Sequence, residues 1–293
     1  MPGNHKAESA DGMDSPAAVY WRSLLRRHGV RPDKKLSQHF LLDGTALLRI
    51  VEAADLRGGE TVLEVGAGIG TLTLLLAQTA RRVVAVEIDQ RLMPALREAV
   101  GQLAAVQIVQ DDILALDLSS IIGPQAYHVV ANIPYHITSA LIRKLLEADT
   151  PPACMVLTMQ KEVAQRIAAQ AGSMSLLALS VQIYGRPVLC ATIPAGSFYP
   201  SPQVDSAILR VELHQTPRIP RTDLSMVFRL ARAGFGQRRK QLCNSLSAGL
   251  EIPKEVAIGW LDQAGLSARA RPQELSLEQW HRLAQAAEIQ PPA

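Results

Sequence analysis

Cysteine is scarce. Cys154, Cys190 and Cys243 are odd in number, far apart and without a CxxC pair, which argues against a disulfide framework or a zinc cluster. They read as reduced bystanders. The seven histidines show no HxxxH spacing, so no metal site is expected. No stretch approaches the ~20 uninterrupted apolar residues of a membrane span. Met1-Pro2-Gly3-Asn4-His5-Lys6 lacks the apolar core of a signal peptide, and a cytoplasmic location away from membranes is expected. Aromatic residues make up only 4% of the chain, so each one set in a loop calls for a reason. Internal repeats and low-complexity tracts are missing too. What remains is a chain of 293 residues, 48% hydrophobic, long enough for a large core and two domains. Its net charge of +3 is unevenly spread: residues 206–293 carry 12 Lys and Arg against 8 Asp and Glu.

The most ordered pattern lies early. Thr61-Val62-Leu63-Glu64-Val65 reads as a buried strand running into Gly66-Ala67-Gly68-Ile69-Gly70, followed by an apolar helix over 71–80. This is a nucleotide-type βα turn. A dinucleotide fingerprint would need a glycine at position 71, where the chain has Thr71, so the spacing disfavours NAD. A second strand, Arg82 to Val86, ends in Glu87, placed where a ribose diol would lie. Glu87 and Asp89 could equally cap the helix that starts near Gln90. A third strand over 106–110 leads to Asp111-Asp112, and a fourth, Tyr127 to Ala131, delivers Asn132. Of the two aspartates, Asp112 is the better placed to accept from an adenine amino group. In an open parallel sheet these strand C-termini line one cleft.

Asn132-Ile133-Pro134-Tyr135 is the most informative segment. The lone pair of an exocyclic amine is delocalised into its ring, so a site acting on it must hold the nitrogen with well-placed acceptors. The Asn132 amide oxygen and the Ile133 carbonyl would each take one amine hydrogen, with Pro134 stiffening the loop and Tyr135 stacking on the base. By itself the tetrapeptide is also ordinary turn chemistry. Together with the glycine loop and the acid it predicts methyl transfer to nitrogen.

With these blocks the chain resembles the ribosomal RNA adenine N6,N6-dimethyltransferase family, in particular its bacterial small-subunit (16S) type, over nearly all of residues 34–283. Lys35-Leu36-Ser37-Gln38-His39-Phe40-Leu41-Leu42-Asp43 resembles the family block that closes over the cofactor, with His39 and Leu41 in contacting places and His39 standing where Asn is frequent. The resemblance implies S-adenosylmethionine as cofactor, held by His39, Leu41, Gly66, Gly68, Gly70, Glu87, Asp112 and Asn132. It implies catalysis by Asn132, Ile133, Pro134, Tyr135 and Phe198. Phe198 leads Phe198-Tyr199-Pro200-Ser201-Pro202-Gln203-Val204-Asp205-Ser206, a family block whose first aromatic faces the target base opposite Tyr135. Filling the core is the commoner fate of a phenylalanine, but a Phe-Tyr pair in a Pro-rich loop is poorly placed for that, which favours stacking for Phe198. Arg238-Arg239-Lys240 resembles the family's basic motif and would clamp RNA phosphates; a solvated helix face is the usual meaning of such a run. A second basic cluster, Arg22, Arg26, Arg27, Arg31, Lys34 and Lys35, would flank the same RNA.

The expected organisation is a disordered leader over 1–17 and a doubly wound Rossmann-like α/β methyltransferase domain over 18–213. A linker over 214–222 and a small helical RNA-binding domain of three helices over 223–293 follow. Ser175 to Val188 and Ala207 to Leu213 read as strands completing the sheet, and Ser276 with Gln279 as a capping box. The implied activity is dimethylation of N6 on two adjacent adenines near the 3′ end of small-subunit rRNA, by a monomer acting on the rRNA or the pre-ribosomal small subunit. Three alternatives share most motifs. They are a large-subunit rRNA adenine methyltransferase of the antibiotic-resistance type, a mitochondrial transcription-factor relative, and a non-catalytic ribosome-assembly factor.

Overall fold

The computed structural model describes residues 15–33, 36–237 and 239–289. Lys34, Lys35 and Arg238 lie outside the described residues, as does the leader over 1–14. The rest of the expected leader is ordered. The Ser15 hydroxyl accepts the Ala18 N–H at 3.2 Å, and Pro16 occupies the first turn of helix α1 (Pro16–Arg27); both are helix-starting devices.

The chain divides into two compact units, residues 1–164 with 188–211, and residues 165–187 with 212–293. In the first, strands β2 (Thr61–Val65), β3 (Arg82–Glu87), β4 (Val106–Gln110), β5 (Tyr127–Asn132) and β6 (Cys154–Gln160) form the parallel part of a seven-stranded sheet ordered β4-β3-β2-β5-β6-β9-β7. The last two are β7 (Gly185–Ile193) and β9 (Ser206–Leu213). All five residues of β2 are buried, as a strand covered on both faces requires. The chain runs outward from β2 to β3 and β4, then returns to lay β5 on the other side of β2. The order therefore reverses between β2 and β5, where Val65 pairs with Ala131, and the loops after these strands open the crevice. A separate two-stranded ribbon pairs β1 (Phe40–Leu41) with β8 (Phe198–Tyr199), antiparallel, Leu41 opposite Phe198.

Residues 175–184 are not a strand. Ser175 caps helix α8 (Leu176–Tyr184) by accepting the Ala178 N–H at 3.1 Å, and only the following β7 is extended. An apolar run buried on several sides carries no periodicity that separates helix from strand. Residues 165–187 accordingly group with the C-terminal helices, and only the last three of them begin a strand of the sheet. The 214–222 segment is packed: His214 and Arg218 donate backbone N–H groups to Tyr184 and Ile183, each at 2.8 Å, and Ile219 is buried in the second core. Among the described residues beyond it stand four α-helices rather than three, α9 (Leu224–Phe235), α10 (Leu242–Leu250), α11 (Lys254–Gln263) and α12 (Leu277–Ile289). Glu251, in a left-handed conformation, and Pro253 separate α10 from α11. Trp260 and Trp280 anchor this second core with Leu230, Leu246 and Leu283. The box that opens α12 is formed, with Ser276 N–H on Gln279 Oε1 at 2.7 Å and Gln279 N–H on Ser276 Oγ at 3.3 Å.

Candidate active site

At the strand-order reversal lies a cavity of about 340 Å³. The glycine loop forms one wall because it can turn back sharply: Gly66, Gly68 and Gly70 all have positive φ. A Cβ on Gly68 would stand 3.3 Å from the Phe40 ring, so both conformation and space call for glycine there. The Gly66 and Ala67 N–H groups both donate to the Val86 carbonyl, at 2.9 and 3.1 Å.

Glu87 is buried at the end of β3. One carboxylate oxygen accepts the Gly68 N–H at 2.8 Å, the other the Asp89 N–H at 2.9 Å. Burial pushes its pKa up, against these two backbone donors. Helix capping falls to Asp89, whose carboxylate accepts the Arg91 N–H at 3.0 Å. Hydrogen bonds from the Arg91 side chain are the largest cause that holds its pKa down. Glu64 in β2 also faces the cavity, with one carboxyl oxygen buried and unpartnered among the described residues. Burial, reinforced by the neighbouring Glu87 and opposed by Thr73, pushes its pKa up to about 8. Asp111 is exposed and Asp112 half-buried; both border the cavity, and Asp112 Oδ1 accepts the Leu114 N–H at 2.8 Å.

Across from the glycines, Asn132 donates its side-chain N–H to the His39 carbonyl at 3.1 Å. A carbonyl only accepts, so the bond must be made by the amide nitrogen, and the amide oxygen points elsewhere. The Ile133 N–H is held by the Thr158 carbonyl of β6 at 3.0 Å. The Tyr135 hydroxyl pairs with Ser206 at 2.9 Å, and its ring stacks on His39 with centroids 5.9 Å apart. His39 Nδ1 meets the Pro200 carbonyl at 2.6 Å.

The match to a family model, ribosomal RNA adenine dimethylase, spans residues 30–288. The chain belongs to this family. It is an rRNA adenine dimethyltransferase. Among its relatives, the ribosomal RNA small subunit methyltransferase A of Dehalococcoides mccartyi is 43% identical over 89% of this chain and 90% of its own. That of Lachnoclostridium phytofermentans is 39% identical over 89% and 93%. Two solved structures share the fold. The 23S rRNA methyltransferase ErmE has a TM-score of 0.68 and 30% identity over 85% of this chain and 99% of its own. A dimethyladenosine transferase from Plasmodium falciparum has a TM-score of 0.74 and 24% identity over 86% and 98%.

The cavity brings together His39, Leu41, Gly66, Gly68, Glu87, Asp112 and the whole Asn132–Tyr135 segment, with Phe198. Gly70 is not among the lining residues; it starts α3 (Thr71–Thr79), and a Cβ there would press on Val100 and Leu96. Phe198 departs from the reading that its loop cannot fill a core. The β1–β8 pairing turns the ring inward beside Leu41 and Ile50, 1% exposed, and leaves Tyr199 as the exposed member of the pair. Arg239 and Lys240 are exposed in the second unit, after α9. Sequence reasoning passed over Glu64, Gln38 and Ile88. Ile88, half-exposed at the cavity beside Glu87, carried one signal: an apolar residue immediately after a strand-ending acid. Glu64 carried another, an acid inside an otherwise apolar strand.

Proposed function

We propose that the chain uses S-adenosylmethionine to dimethylate N6 of two adjacent adenines near the 3′ end of small-subunit rRNA, as part of ribosome biogenesis. The observation that carries this reading is the Asn132 amide, anchored through its nitrogen so that its oxygen is free to accept. The cavity suits a cationic cofactor. Asp111 and Asp112 set acidic groups at its border beside the carboxyls of Glu64 and Glu87, Glu64 offers an unpartnered oxygen, and Gly68 keeps clear a position where a Cβ would stand a tight 3.3 Å from the Phe40 ring. Glu87 would accept from the ribose hydroxyls, Asp112 from the adenine amine, and Ile88 would cover the adenine ring. Gly66, Gly68, His39 and Leu41 would close around the remainder.

When bound, S-adenosylmethionine supplies an activated methyl group on a sulfonium. The chain supplies position. Asn132 Oδ1 and the Ile133 carbonyl accept the two N6 hydrogens and draw the nitrogen lone pair out of conjugation. Pro134 keeps the loop stiff. His39 takes one face of Tyr135, so the base stacks on the other, with Phe198 as the opposing apolar wall; such stacking contributes roughly 1–3 kcal/mol per base. No strong base is needed, since the N6 proton becomes acidic only once that nitrogen is methylated and cationic, and it leaves to water. Arg238, Arg239 and Lys240 hold RNA phosphates.

The higher identity to small-subunit enzymes than to ErmE favours the small-subunit substrate. Incubation of unmethylated small and large ribosomal subunits with labelled S-adenosylmethionine, followed by mass analysis of each rRNA, tests it. Two adjacent dimethyladenosines in the small-subunit RNA are expected. Label confined to the large-subunit RNA would transfer the reading to the other class, and no label in either would leave a binding factor.

A further inference from the structure

The side-chain amide of Gln38 lies between the cofactor turn and the catalytic amide and is used at both ends. Its Oε1 accepts the Asp33 N–H at 2.8 Å, and its Nε2 donates to Asp89 Oδ2 at 2.7 Å. Asp89 is 7% exposed and is joined through its own N–H to Glu87, which in turn holds Gly68. The next residue in the chain, His39, presents the carbonyl that receives the Asn132 amide. Gly68, Glu87, Asp89, Gln38, His39 and Asn132 thus form one continuous line from the glycine loop to the reacting end of the cavity. A second tie, from Arg91 to Asp33 at 3.3 Å, closes the segment from outside.

We propose that Gln38 is a positioning residue that, by bonding Asp89, fixes the His39 carbonyl and thereby the orientation of Asn132. This rests on the reading of Asn132 given above. Two physical points support it. The bond to His39 is the only hydrogen bond on the Asn132 side chain among the described residues, so nothing else prevents the amide from turning over. An amide turned by half a rotation presents its NH₂ to the target amine, donor against donor, and the acceptor needed for attack is lost. The Gln38–Asp89 bond is charge-assisted and partly buried, the kind that holds geometry most firmly.

The test uses Gln38→Glu, which keeps the shape and the acceptor for Asp33 but sets a carboxylate against Asp89. It also uses Asp89→Asn, and the double variant, in which the amide introduced at position 89 can donate to the carboxylate introduced at position 38 and restore the bond with its ends exchanged. The chain has three asparagines, Asn4, Asn132 and Asn244, so selective ¹⁵N-asparagine labelling gives a side-chain amide spectrum simple enough to follow without donor or RNA. Each single variant is expected to shift the Asn132 amide pair and raise its exchange rate, and to lower kcat about tenfold at saturating donor and RNA, as small misplacements do. RNA affinity should stay within about twofold, and the double variant should recover most of both losses, the mark of a direct coupling. The proposal is overturned if the single variants lower only the melting temperature, with the Asn132 resonances and saturated kcat at wild-type values, or if the double variant's losses add. Should the wild-type chain methylate no small-subunit RNA, the functional reading fails while the resonances still decide whether Gln38 orients Asn132.

Discussion

Asn132 and Glu87 end the two strands that flank β2 and are proposed to act on different partners, so their variants should separate binding from chemistry. Glu87→Ala removes the proposed ribose acceptor and should weaken S-adenosylmethionine binding by about 1–3 kcal/mol. Titration calorimetry reads this directly, with RNA affinity unchanged; normal donor affinity would reduce Glu87 to a brace for Gly68 and Asp89. Asn132→Ala should do the reverse. RNA still binds, but turnover at saturating donor falls by on the order of a hundredfold, the loss expected when a transition-state hydrogen bond is removed. Glu64 makes a prediction about pH. Its pKa is near 8 in the folded protein, against a reference value of 4.5. Between those values the unfolded chain releases a proton that the folded protein keeps, so stability falls as pH rises through the window and levels off above it. Glu64→Gln removes the titration, so its melting temperature relative to wild type should climb across the window; an equal difference at about pH 5 and about pH 9 contradicts the assignment.

At the scale of elements, the β2–α3 turn is the most constrained piece. Gly68 has a φ of +61°, and a Cβ there would stand a tight 3.3 Å from the Phe40 ring, so Gly68→Ala should cost about 1–2 kcal/mol for the left-handed backbone alone. It should also lower donor affinity, because the Gly68 N–H is tied to Glu87; denaturant melts and calorimetry on one preparation check both. This turn was legible from sequence because glycine spacing reports backbone conformation directly. The α12 capping box was legible for the same local reason. Helix α8 was not, since a run buried in the second core shows no polar face, and its burial is decided by residues such as Leu230 and Ile219 that are distant in sequence. Phe198 misled in the same way: its loop is Pro-rich, but pairing of β8 with β1, far upstream in the chain, turns the ring inward.

On the scale of the whole molecule, the proposed phosphate clamp and the proposed catalytic segment lie in different parts of the chain. Neutralising Arg238, Arg239 and Lys240 together should lower RNA affinity and flatten its salt dependence by roughly one unit of slope for each phosphate no longer neutralised. Donor affinity should be untouched; filter binding across a salt series reads the first and calorimetry the second. An unchanged salt slope would return the run to a solvated surface. Among the described residues no helix is long and apolar enough to cross a membrane. By itself the sequence determined four of the five parallel strands, β6 (Cys154–Gln160) excepted, together with the glycine loop, the acids at the strand ends and the Asn132 segment, because each is written in local pattern and residue chemistry. Only the tertiary structure decided how residues 165–187 group with the C-terminal helices, why Gly70 serves packing rather than the cavity, and which way the Asn132 amide faces. Those depend on partners brought near by the fold. The His39 carbonyl that orients Asn132 comes from 93 residues away, and no local pattern in the chain encodes that meeting.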